Sequence, residues 1–439
     1  MKKNKSFAVF YLLVFNLFLI NITYGQGNSI ISQLTIDSVL LDNIGKPWGF
    51  TFIDSNDIIF TEKAGKLWKY SIDTQIKTEV IGLPIITQIG QGGLLDVELH
   101  PNFNQNQLLY LTYTVSDANG QTTALGRGKL ENNQLIQFEE LFRALPIVSS
   151  SVHFGGRMTF DKENFIYFSM GDRGTPENAQ NKKNHAGKIM RLKDDGTIPF
   201  DNPFIDSLNA CKEIFSWGHR NVQGLAMNPI TGEIYAHEHG PKGGDELNLV
   251  KKGANYGWPL ITFGVNYDGS IISTDTARIG LEQPLTYWVP SIAPSGLTFI
   301  ENNQANNEID VLIGALAGNH LHWLKLKDNK KVLASKSMEG YARFRDVKQS
   351  PDGRLYAMTE SPNRLLRLTS NITITSLDQK SKINTTIVYP NPSLKNGKIT
   401  LAFSVSTTQE VFIKILTKNG KLIQDTHKAY LQENYQLSF

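Results

Sequence analysis

The sequence has a single cysteine among 439 residues, Cys211, so the chain cannot form an internal disulfide and must be stabilised by packing, hydrogen bonds or metal ions. Cys211 is interpreted as a small buried apolar group, because no activating base stands near it in a motif. Long runs of like charge are also missing, and 44 basic and 41 acidic side chains leave a formal net charge of +3. Nucleic acid is therefore not an expected partner, since phosphate backbones require a concentrated cationic surface.

Long apolar runs are missing after about residue 22, so nothing later in the chain is expected to span a membrane. At the N-terminus, three lysines precede an apolar stretch from Phe7 to about Ile22, and small or polar residues follow. This order predicts a signal peptide over residues 1–25 and a secreted protein, located in the periplasm, at the cell surface or outside the cell. An uncleaved membrane anchor is the less favoured alternative, because the apolar run is short for a span of ~20 residues.

Apolar residues make up 40% of the chain, enough for a large core, and short alternating apolar and polar runs recur along it in six pairs. The pairs are 49–54 with 58–60, 96–101 with 108–111, 157–161 with 165–168, 224–229 with 233–236, 296–300 with 310–313, and 346–353 with 355–358. Each pair predicts a β-hairpin, and roughly six hairpins arranged radially bury their sheets against one another. The sequence therefore predicts an all-β fold, a β-propeller over residues 35–370, with a two-sheet sandwich as the weaker alternative.

The alternating pattern ends near Leu368. Residues 371–384, rich in Thr, Ser, Asn and Lys, predict a linker, and residues 385–439 predict a small β-sandwich-like domain. Through Tyr-Pro-Asn-Pro at 389–392 and the turn at 418–422, this tail resembles the C-terminal sorting domain of the type IX secretion system of Bacteroidetes. The resemblance implies the secretion machinery as a partner, although the basic final strand usual in that family is missing.

The polar segments between the predicted strands hold the candidates for chemistry. His153 is followed closely by Gly155 and Gly156, which let a ligand or another backbone approach, and an imidazole so placed can act as a general base. The alternative is a structural histidine at a strand end, with its hydrogen bonds made to the protein itself. Asp172, at the end of the paired strand, is expected to approach the imidazole and fix its tautomer, or else only to form the turn before Gly174.

Two arginine-containing segments suit an anionic ligand. Arg220 and Asn221 set a planar donor fork beside an amide that can give and accept hydrogen bonds, which suits a carboxylated, carbonyl-rich ligand. Arg343 and Arg345 are two apart in a predicted strand, so they share one side and can clamp carboxylates. A solvated strand face balanced by Asp346 is the alternative for the second segment.

Residues 237–248 hold the densest cluster of possible metal ligands, with two histidines, three carboxylates and Gly240-Pro241. Oxygen ligands favour calcium. Zinc is less favoured, because His237 and His239 stand two apart and no third nitrogen or sulfur ligand follows at a recognised spacing.

Taken in order, seven motifs between about Pro47 and Leu368 resemble the soluble glucose and sorbosone dehydrogenases, which are quinoprotein aldose sugar dehydrogenases. The motifs are Gly90-Gln-Gly-Gly-Leu-Leu-Asp, His153-Phe-Gly-Gly-Arg, Met170-Gly-Asp, Gly218-His-Arg-Asn-Val-Gln-Gly, His239-Gly-Pro with Asp245-Glu246, Asn255-Tyr-Gly-Trp-Pro and Arg343-Phe-Arg-Asp-Val. The resemblance implies a six-bladed β-propeller that oxidises an aldose sugar or related alcohol with pyrroloquinoline quinone and Ca²⁺, and an external electron acceptor as partner.

The resemblance also implies roles for individual residues. His153 matches the family's base, Asp172 the carboxylate that orients it, and Arg220 the group that polarises the quinone. The residues implied to contact the cofactor are Gln91, Arg220, Asn221, Arg343 and Arg345, with Tyr267 lining the same face. The peptide oxygens of Gly240 and Pro241 are implied to bind the calcium ion beside the cofactor, and Glu246 and Tyr256 to form part of a second calcium site.

Two positions depart from the family's pattern. Ala317 stands where a lysine often contacts the cofactor, and Val152 stands where glucose-oxidising members have an aspartate. Two rival functions remain: a calcium-dependent propeller hydrolase such as a lactonase, and a non-catalytic carbohydrate-binding propeller. The arginine-containing segments disfavour the first rival, and the presence of both His153 and Asp172 disfavours the second.

Overall fold

A computed structural model of the chain describes residues 7–13, 31–301, 308–328, 330–373, 383–389, 400–405, 409–416, 422–430 and 434–438. The chain divides into two compact units. The larger comprises residues 34–301 and 306–369, and the smaller comprises residues 1–33, 302–305 and 370–439.

Six four-stranded sheets make up the larger unit, and we number these blades in chain order. Blade 1 contains Pro47–Phe52, Asp57–Glu62, Lys66–Ser71 and Ile76–Val80; blade 2 contains Leu94–Leu99, Leu108–Asp117, Gly120–Glu131 and Gln134–Arg143. Blade 3 contains Met158–Phe160, Ile166–Met170, Lys188–Leu192 and Ile214–Trp217; blade 4 contains Val222–Met227, Ile234–Glu238, Asp245–Leu249 and Thr286–Trp288. Blade 5 contains Pro294–Ile300, Glu308–Ala315, His320–Lys327 and Lys330–Ser337; blade 6 contains Arg343–Gln349, Leu355–Glu360, Arg364–Thr373 and Ile31–Asp42. A short α-helix, Phe103–Asn106, and a 3₁₀-helix, Pro176–Gln180, lie in the connections.

The first strands of neighbouring blades contact one another around a closed ring, which confirms the predicted six-bladed propeller. A buried apolar cluster fills each of the six gaps between blades. Between blades 1 and 2, for example, Ile59 and Leu67 pack with Leu109 and Leu111. The six predicted hairpins are the first two strands of each blade, and burial between blades is what makes their alternating patterns stable sheets.

The ring closes in blade 6, where an N-terminal strand completes a sheet formed by the last strands of the propeller. Ile31–Asp42 lies beside Arg364–Thr373. Arg364 binds Asp42 through two hydrogen bonds of 3.0 Å, and Leu34 packs in the same cluster as Leu366. Closure by strands from both ends removes the open edge that a linear array of blades would leave.

At the centre of the ring, Arg157 pairs with two buried carboxylates, and we call Arg157, Asp96 and Asp346 the hub. The Nη1 atom of Arg157 lies 2.9 Å from Asp96 Oδ1 and 3.2 Å from Asp346 Oδ2. Its Nε–H donates to the Gln223 peptide oxygen at 3.0 Å, and its guanidinium stacks over Trp48 at 4.3 Å. The hub therefore joins blade 3 to blades 1, 2, 4 and 6.

The remaining described strands form two three-stranded sheets in the smaller unit. One sheet contains Phe7–Leu13, Gln409–Leu416 and Leu422–Tyr430, with its first two strands parallel, and the other contains Ile383–Tyr389, Thr400–Val405 and Asn434–Ser438. Most of the predicted signal peptide and linker, and parts of both sorting-domain motifs, lie outside the described residues, namely 1–6, 14–25, 374–382, 390–392 and 418–421. Within the described part of the chain, no helix has the length and apolarity to cross a membrane.

Substitution of the hub arginine tests its structural role. We expect Arg157→Met to lower the free energy of unfolding by about 3–5 kcal/mol, because it leaves two buried carboxylates without a cation. Arg278→Met, at an exposed arginine that pairs with Asp275 at 2.8 Å, is the matched control, with an expected loss of about 1 kcal/mol or less. Equal losses for the two variants in chemical denaturation would contradict the role of the hub.

Candidate active site

The predicted site residues gather on one face of the propeller because of the strand directions. Successive strands in a blade run antiparallel, so the loops that lead into first strands and the loops that follow second strands emerge together. We call this side the loop face. Gln91, His153 and Arg220-Asn221 lie in or just before first strands, Arg343 and Arg345 lie at the start of one, and Asp172 and Gly240-Pro241 follow second strands.

His153 and Asp172 are in direct contact on the loop face. Nδ1 of His153 lies 2.6 Å from Oδ1 of Asp172, and the imidazole is 15% exposed whereas the carboxylate is 1% exposed. The peptide N–H of His153 donates to Oε1 of Gln91 at 2.8 Å. Because an ionised carboxylate only accepts hydrogen bonds, Nδ1 carries the hydrogen in the neutral imidazole, and Nε2 then has the lone pair. Nε2 is therefore the nitrogen that can act as a base.

Asp172 accepts hydrogen bonds from three donors. Besides His153, these are the peptide N–H of Gly174 at 2.8 Å and the indole N–H of Trp258 at 2.9 Å. Burial by itself raises the pKa of Asp172, but the hydrogen bond and charge of His153, with the Gly174 N–H, outweigh burial and hold the pKa below its ordinary value. Asp172 thus both forms the turn and orients the imidazole, so the two roles considered for it are compatible.

The backbone around His153 is tightly packed, which fixes the imidazole in place. Gly155 has a φ of +62°, and a Cβ there would lie 2.7 Å from the Cα of Met170. A Cβ at Gly171 would lie 2.5 Å from the peptide oxygen of His153. His153 itself has a φ of 53°, a conformation held by these neighbours and by the bond to Gln91.

Arg220 is linked to the His153–Asp172 pair through an aromatic ring. Its Nη1 donates to the peptide oxygens of His239 at 3.1 Å and Gly240 at 2.6 Å. Its guanidinium lies 5.4 Å from the ring centroid of Trp258, whose indole N–H binds Asp172. Trp258 therefore holds the Arg220 guanidinium and the His153–Asp172 pair near each other on the loop face.

Asn221 is buried with its amide oxygen engaged. That oxygen accepts from the Gly155 N–H at 3.2 Å and from the side chain of Gln223 at 3.4 Å. A ligand at this position therefore meets the amide NH₂ as a donor, as suits a carbonyl or carboxylate group.

Three of the four residues predicted to bind calcium, Gly240, Glu246 and Tyr256, line one pocket with Arg220, and Pro241 is not among the residues that line it. The Gly240 N–H donates to Oδ1 of Asp245 at 2.8 Å, which fixes the peptide, while its oxygen accepts from Arg220. A peptide oxygen has two lone pairs, so this one keeps a second for a cation. The donor set fits an ion that prefers oxygen.

Glu246 faces Glu238 across neighbouring strands, and one amide, Asn248 Nδ2, donates to both carboxylates at 3.2 and 3.3 Å. Burial and the Glu238 charge raise the pKa of Glu246 to about 8. Two carboxylates this close are stabilised by a cation, so the pair fits calcium. The Tyr256 hydroxyl donates to the Leu249 oxygen and accepts a peptide N–H, so a calcium role for Tyr256 would rest on its peptide oxygen.

Arg343 and Arg345 share the carboxylate of Glu360, which confirms that they lie on one side of their strand. The Nε atoms lie 4.0 and 2.6 Å from that carboxylate, and Lys46 Nζ approaches it to 3.0 Å. Burial raises the pKa of Glu360, but Arg345 and Lys46 outweigh burial and lower it. Sequence reasoning missed Glu360 and Lys46; the position of Glu360 at the end of a second strand was the available signal. The alternative of balance by Asp346 is wrong, because Asp346 belongs to the hub.

The two remaining predictions concern Tyr267 and Cys211. Tyr267 is 74% exposed, so its place in lining the site stays a prediction. The interpretation of Cys211 as a buried apolar group is wrong, since it is part-exposed and its sulfur lies within 4.8 Å of ligand atoms of His185 and Glu213. The Leu145 N–H donates to Nδ1 of His185 at 2.9 Å, so Nε2 carries the hydrogen and cannot act as base or metal ligand in this arrangement.

Comparison with known proteins gives consistent matches. A family model described as Glucose / Sorbosone dehydrogenase matches residues 44–367. Aldose sugar dehydrogenase YliI of Escherichia coli (strain K12) is 37% identical over 348 residues, covering 75% of this chain and 91% of that protein. Quinoprotein glucose dehydrogenase B of Acinetobacter calcoaceticus is 32% identical over 253 residues, covering 51% of this chain and 52% of that protein. The PQQ-bound form of aldose sugar dehydrogenase from Streptomyces coelicolor superposes with a TM-score of 0.64 at 26% identity, covering 79% of this chain and 100% of that one.

The three donors around Asp172 generate a prediction. We expect Asp172→Asn to lower the free energy of unfolding by about 1–3 kcal/mol. The asparagine amide has only one acceptor oxygen, so its NH₂ group must face one of the donors that the carboxylate accepts from. Trp258→Phe removes one of the three donors, so the cost of Asp172→Asn is expected to be smaller in that background. A double-mutant cycle by urea denaturation measures the difference, and equal costs in both backgrounds would contradict the arrangement.

The lowered pKa of Asp172 also predicts how its contribution to stability depends on pH. The pKa of Asp172 is lower in the folded state than the ~3.9 of an unfolded aspartate, so its contribution to stability is present above pH ~4 and is lost as the pH falls through the folded value. The stability gap between wild type and Asp172→Asn should therefore shrink below pH ~4. A gap that stays constant from pH 7 to pH 3 would contradict this.

Proposed function

The chain belongs to the glucose/sorbosone dehydrogenase family, and on that premise we propose that it oxidises an aldose sugar or related alcohol by hydride transfer to calcium-bound pyrroloquinoline quinone. The observation that carries the proposal is the contact between His153 and Asp172 on the loop face, with Arg220 held nearby. A base in this position can remove the proton of a substrate hydroxyl, while the anchored cation polarises the group that accepts the hydride.

His153 is the proposed base. Nε2, which has the free lone pair, takes the proton of the substrate hydroxyl, and Asp172 keeps the opposite hydrogen on Nδ1 and stabilises the imidazolium that results. Loss of the hydroxyl proton raises the electron density on the carbon that gives up its hydride. The rigid backbone around His153 holds Nε2 in position, so little reorganisation is needed for this step.

When bound, the quinone accepts the hydride, and calcium at its oxygens makes it a stronger acceptor. Arg343 and Arg345 would hold its carboxylates, and Asn221 and Gln91 would donate hydrogen bonds. Arg220 would polarise a quinone oxygen. The fit to a carboxylated group is supported by the guanidinium pair, whose two cations share the single carboxylate of Glu360.

Calcium would be held at two places. The peptide oxygens of Gly240 and Pro241 would bind the ion beside the cofactor, and Glu246, with the peptide oxygen of Tyr256, would bind a second ion. The raised pKa of Glu246, about 8, supports a cation at the second position, because a cation would relieve the repulsion from Glu238. Bound calcium would also stabilise a folded chain that has no disulfide.

The proposal extends to the protein's setting. A secreted enzyme, exported by the N-terminal segment and sorted through the C-terminal strands, would pass its electrons to an external acceptor. The predicted signal peptide supports export, and the resemblance at 389–392 and 418–422 supports sorting.

The test is turnover by His153→Ala. We expect dye reduction with aldoses, in the presence of calcium and pyrroloquinoline quinone, to fall by about 10²–10⁴-fold, since the proton loses its acceptor. Uptake of the cofactor, followed by absorbance after gel filtration, should be retained in this variant. Undiminished turnover by His153→Ala would contradict the role of the base. Hydrolysis of lactones without cofactor uptake would favour a hydrolase. Absence of both oxidation and hydrolysis would favour a binding propeller.

A further inference from the structure

Four cationic side chains meet where blades 6 and 1 join on the loop face, and we call Lys46, Lys63, Arg343 and Arg345 the cationic cluster. Lys46 precedes the first strand of blade 1, and Lys63 follows its second strand. The Lys63 N–H donates to the Lys46 peptide oxygen at 2.8 Å, so the backbone holds the two lysines together.

The cationic cluster exceeds the negative charge beside it. The Glu360 carboxylate contacts Lys46, Arg343 and Arg345. A second carboxylate, that of Glu62, accepts the Gly45 N–H at 2.8 Å. Among the side chains named here, four cations stand against two carboxylates, so this group has an excess of positive charge on a face built from loops. Such an excess attracts an anion that carries several carboxylates.

Lys63 is the member least compensated by the protein. It is 8% exposed, and its ammonium donates to the Gly90 peptide oxygen. Across residues 31–301, 308–328 and 330–370, no carboxylate forms an ion pair with this ammonium. Burial, Lys46 and Arg345 lower its pKa, and the charge of Glu360 opposes them without reversing the shift. A buried ammonium near two further cations is costly unless another group supplies negative charge. A bound anion is such a group.

Lys63 also touches the segment that supports the proposed base. Gly90, which accepts its hydrogen bond, precedes Gln91, and the Gln91 side chain accepts the His153 N–H at 2.8 Å. An anion at Lys63 would therefore lie next to the residues that fix the imidazole. The ammonium has two further hydrogen-bond donors.

We propose that Lys63, with Lys46 at the more exposed side, binds a carboxylate of the polycarboxylated quinone cofactor. This inference rests on the proposed function and adds two binding residues to those that the family resemblance implies. It also supplies a lysine for a chain that has Ala317 where the family often has one. The alternative role for Lys63 is purely structural, as a tether for the loop that contains Gly90.

The experiment compares Lys63→Met with Lys66→Met. Methionine keeps the apolar stem and removes the charge and the donors, and Lys66, an exposed lysine of the same blade paired with Glu79 at 3.3 Å, is the matched control. The apoprotein with calcium is titrated with pyrroloquinoline quinone by calorimetry, and the thermal midpoint is recorded without and with the cofactor. No turnover is needed for either readout.

Binding and stability are expected to change in opposite directions. Lys63→Met should weaken cofactor binding by about 10- to 100-fold, as expected for a lost hydrogen bond to a charged group. The midpoint of the cofactor-free variant should be unchanged or higher, because repulsion within the cationic cluster is relieved. Lys63→Arg should restore most of the affinity, Lys46→Gln should weaken binding less than Lys63→Met, and Lys66→Met should bind as wild type does.

Other results would overturn the inference. If wild type and Lys63→Met bind the cofactor equally, the proposed function stands and the role of Lys63 falls. If Lys63→Met lowers the cofactor-free midpoint and Lys63→Arg does not restore binding, Lys63 is a structural tether. If wild type binds no cofactor, the proposed function falls and the inference falls with it.

Discussion

The buried pairing of Arg157 with Asp96 and Asp346 is the constraint on which the rest of the molecule depends. One guanidinium contacts carboxylates from blades 2 and 6, a peptide oxygen of blade 4 and an indole of blade 1, so it fixes the first strands around a common centre. Arg157 also ends the segment that begins at His153. The ion pair that holds the ring together therefore anchors the loop that carries the proposed base, with only three residues between them.

On the loop face, two buried carboxylates stand in different environments. Asp172 is buried among three donors and stays ionised, whereas Glu246 faces a second carboxylate and has its pKa raised to about 8. The first environment suits a group that orients a base, and the second suits a group that binds a cation. Positive charge collects on the opposite part of the loop face, around Glu360. The face thus offers sites for a base, a cation and an anion without a disulfide to brace it.

The inner half of each blade and the contact between His153 and Asp172 were predictable because each arises within one hairpin. Most residues of the inner strands are buried between neighbouring blades, which leaves a strong apolar pattern at 157–161 and 165–168, whereas outer strands such as Lys330–Ser337 are more polar and were not recognised. His153 and Asp172 were expected together because one hairpin carries both. Glu360 was missed although it lies opposite Arg343 in the first hairpin of blade 6, and Lys63 was missed because its partner, Gly90, lies in the connection to the next blade. Cys211 was misjudged similarly, since His185 approaches it through a long connection.

Anaerobic mixing of the calcium- and cofactor-loaded protein with excess aldose, while the cofactor absorbance is followed, shows whether a sugar reduces a quinone bound at the loop face. We expect a single-turnover change to the reduced spectrum, slowed when deuterium replaces hydrogen on the oxidised carbon, because that bond breaks in the hydride transfer. A tightly bound cofactor whose spectrum is unchanged by every aldose and related alcohol would contradict it.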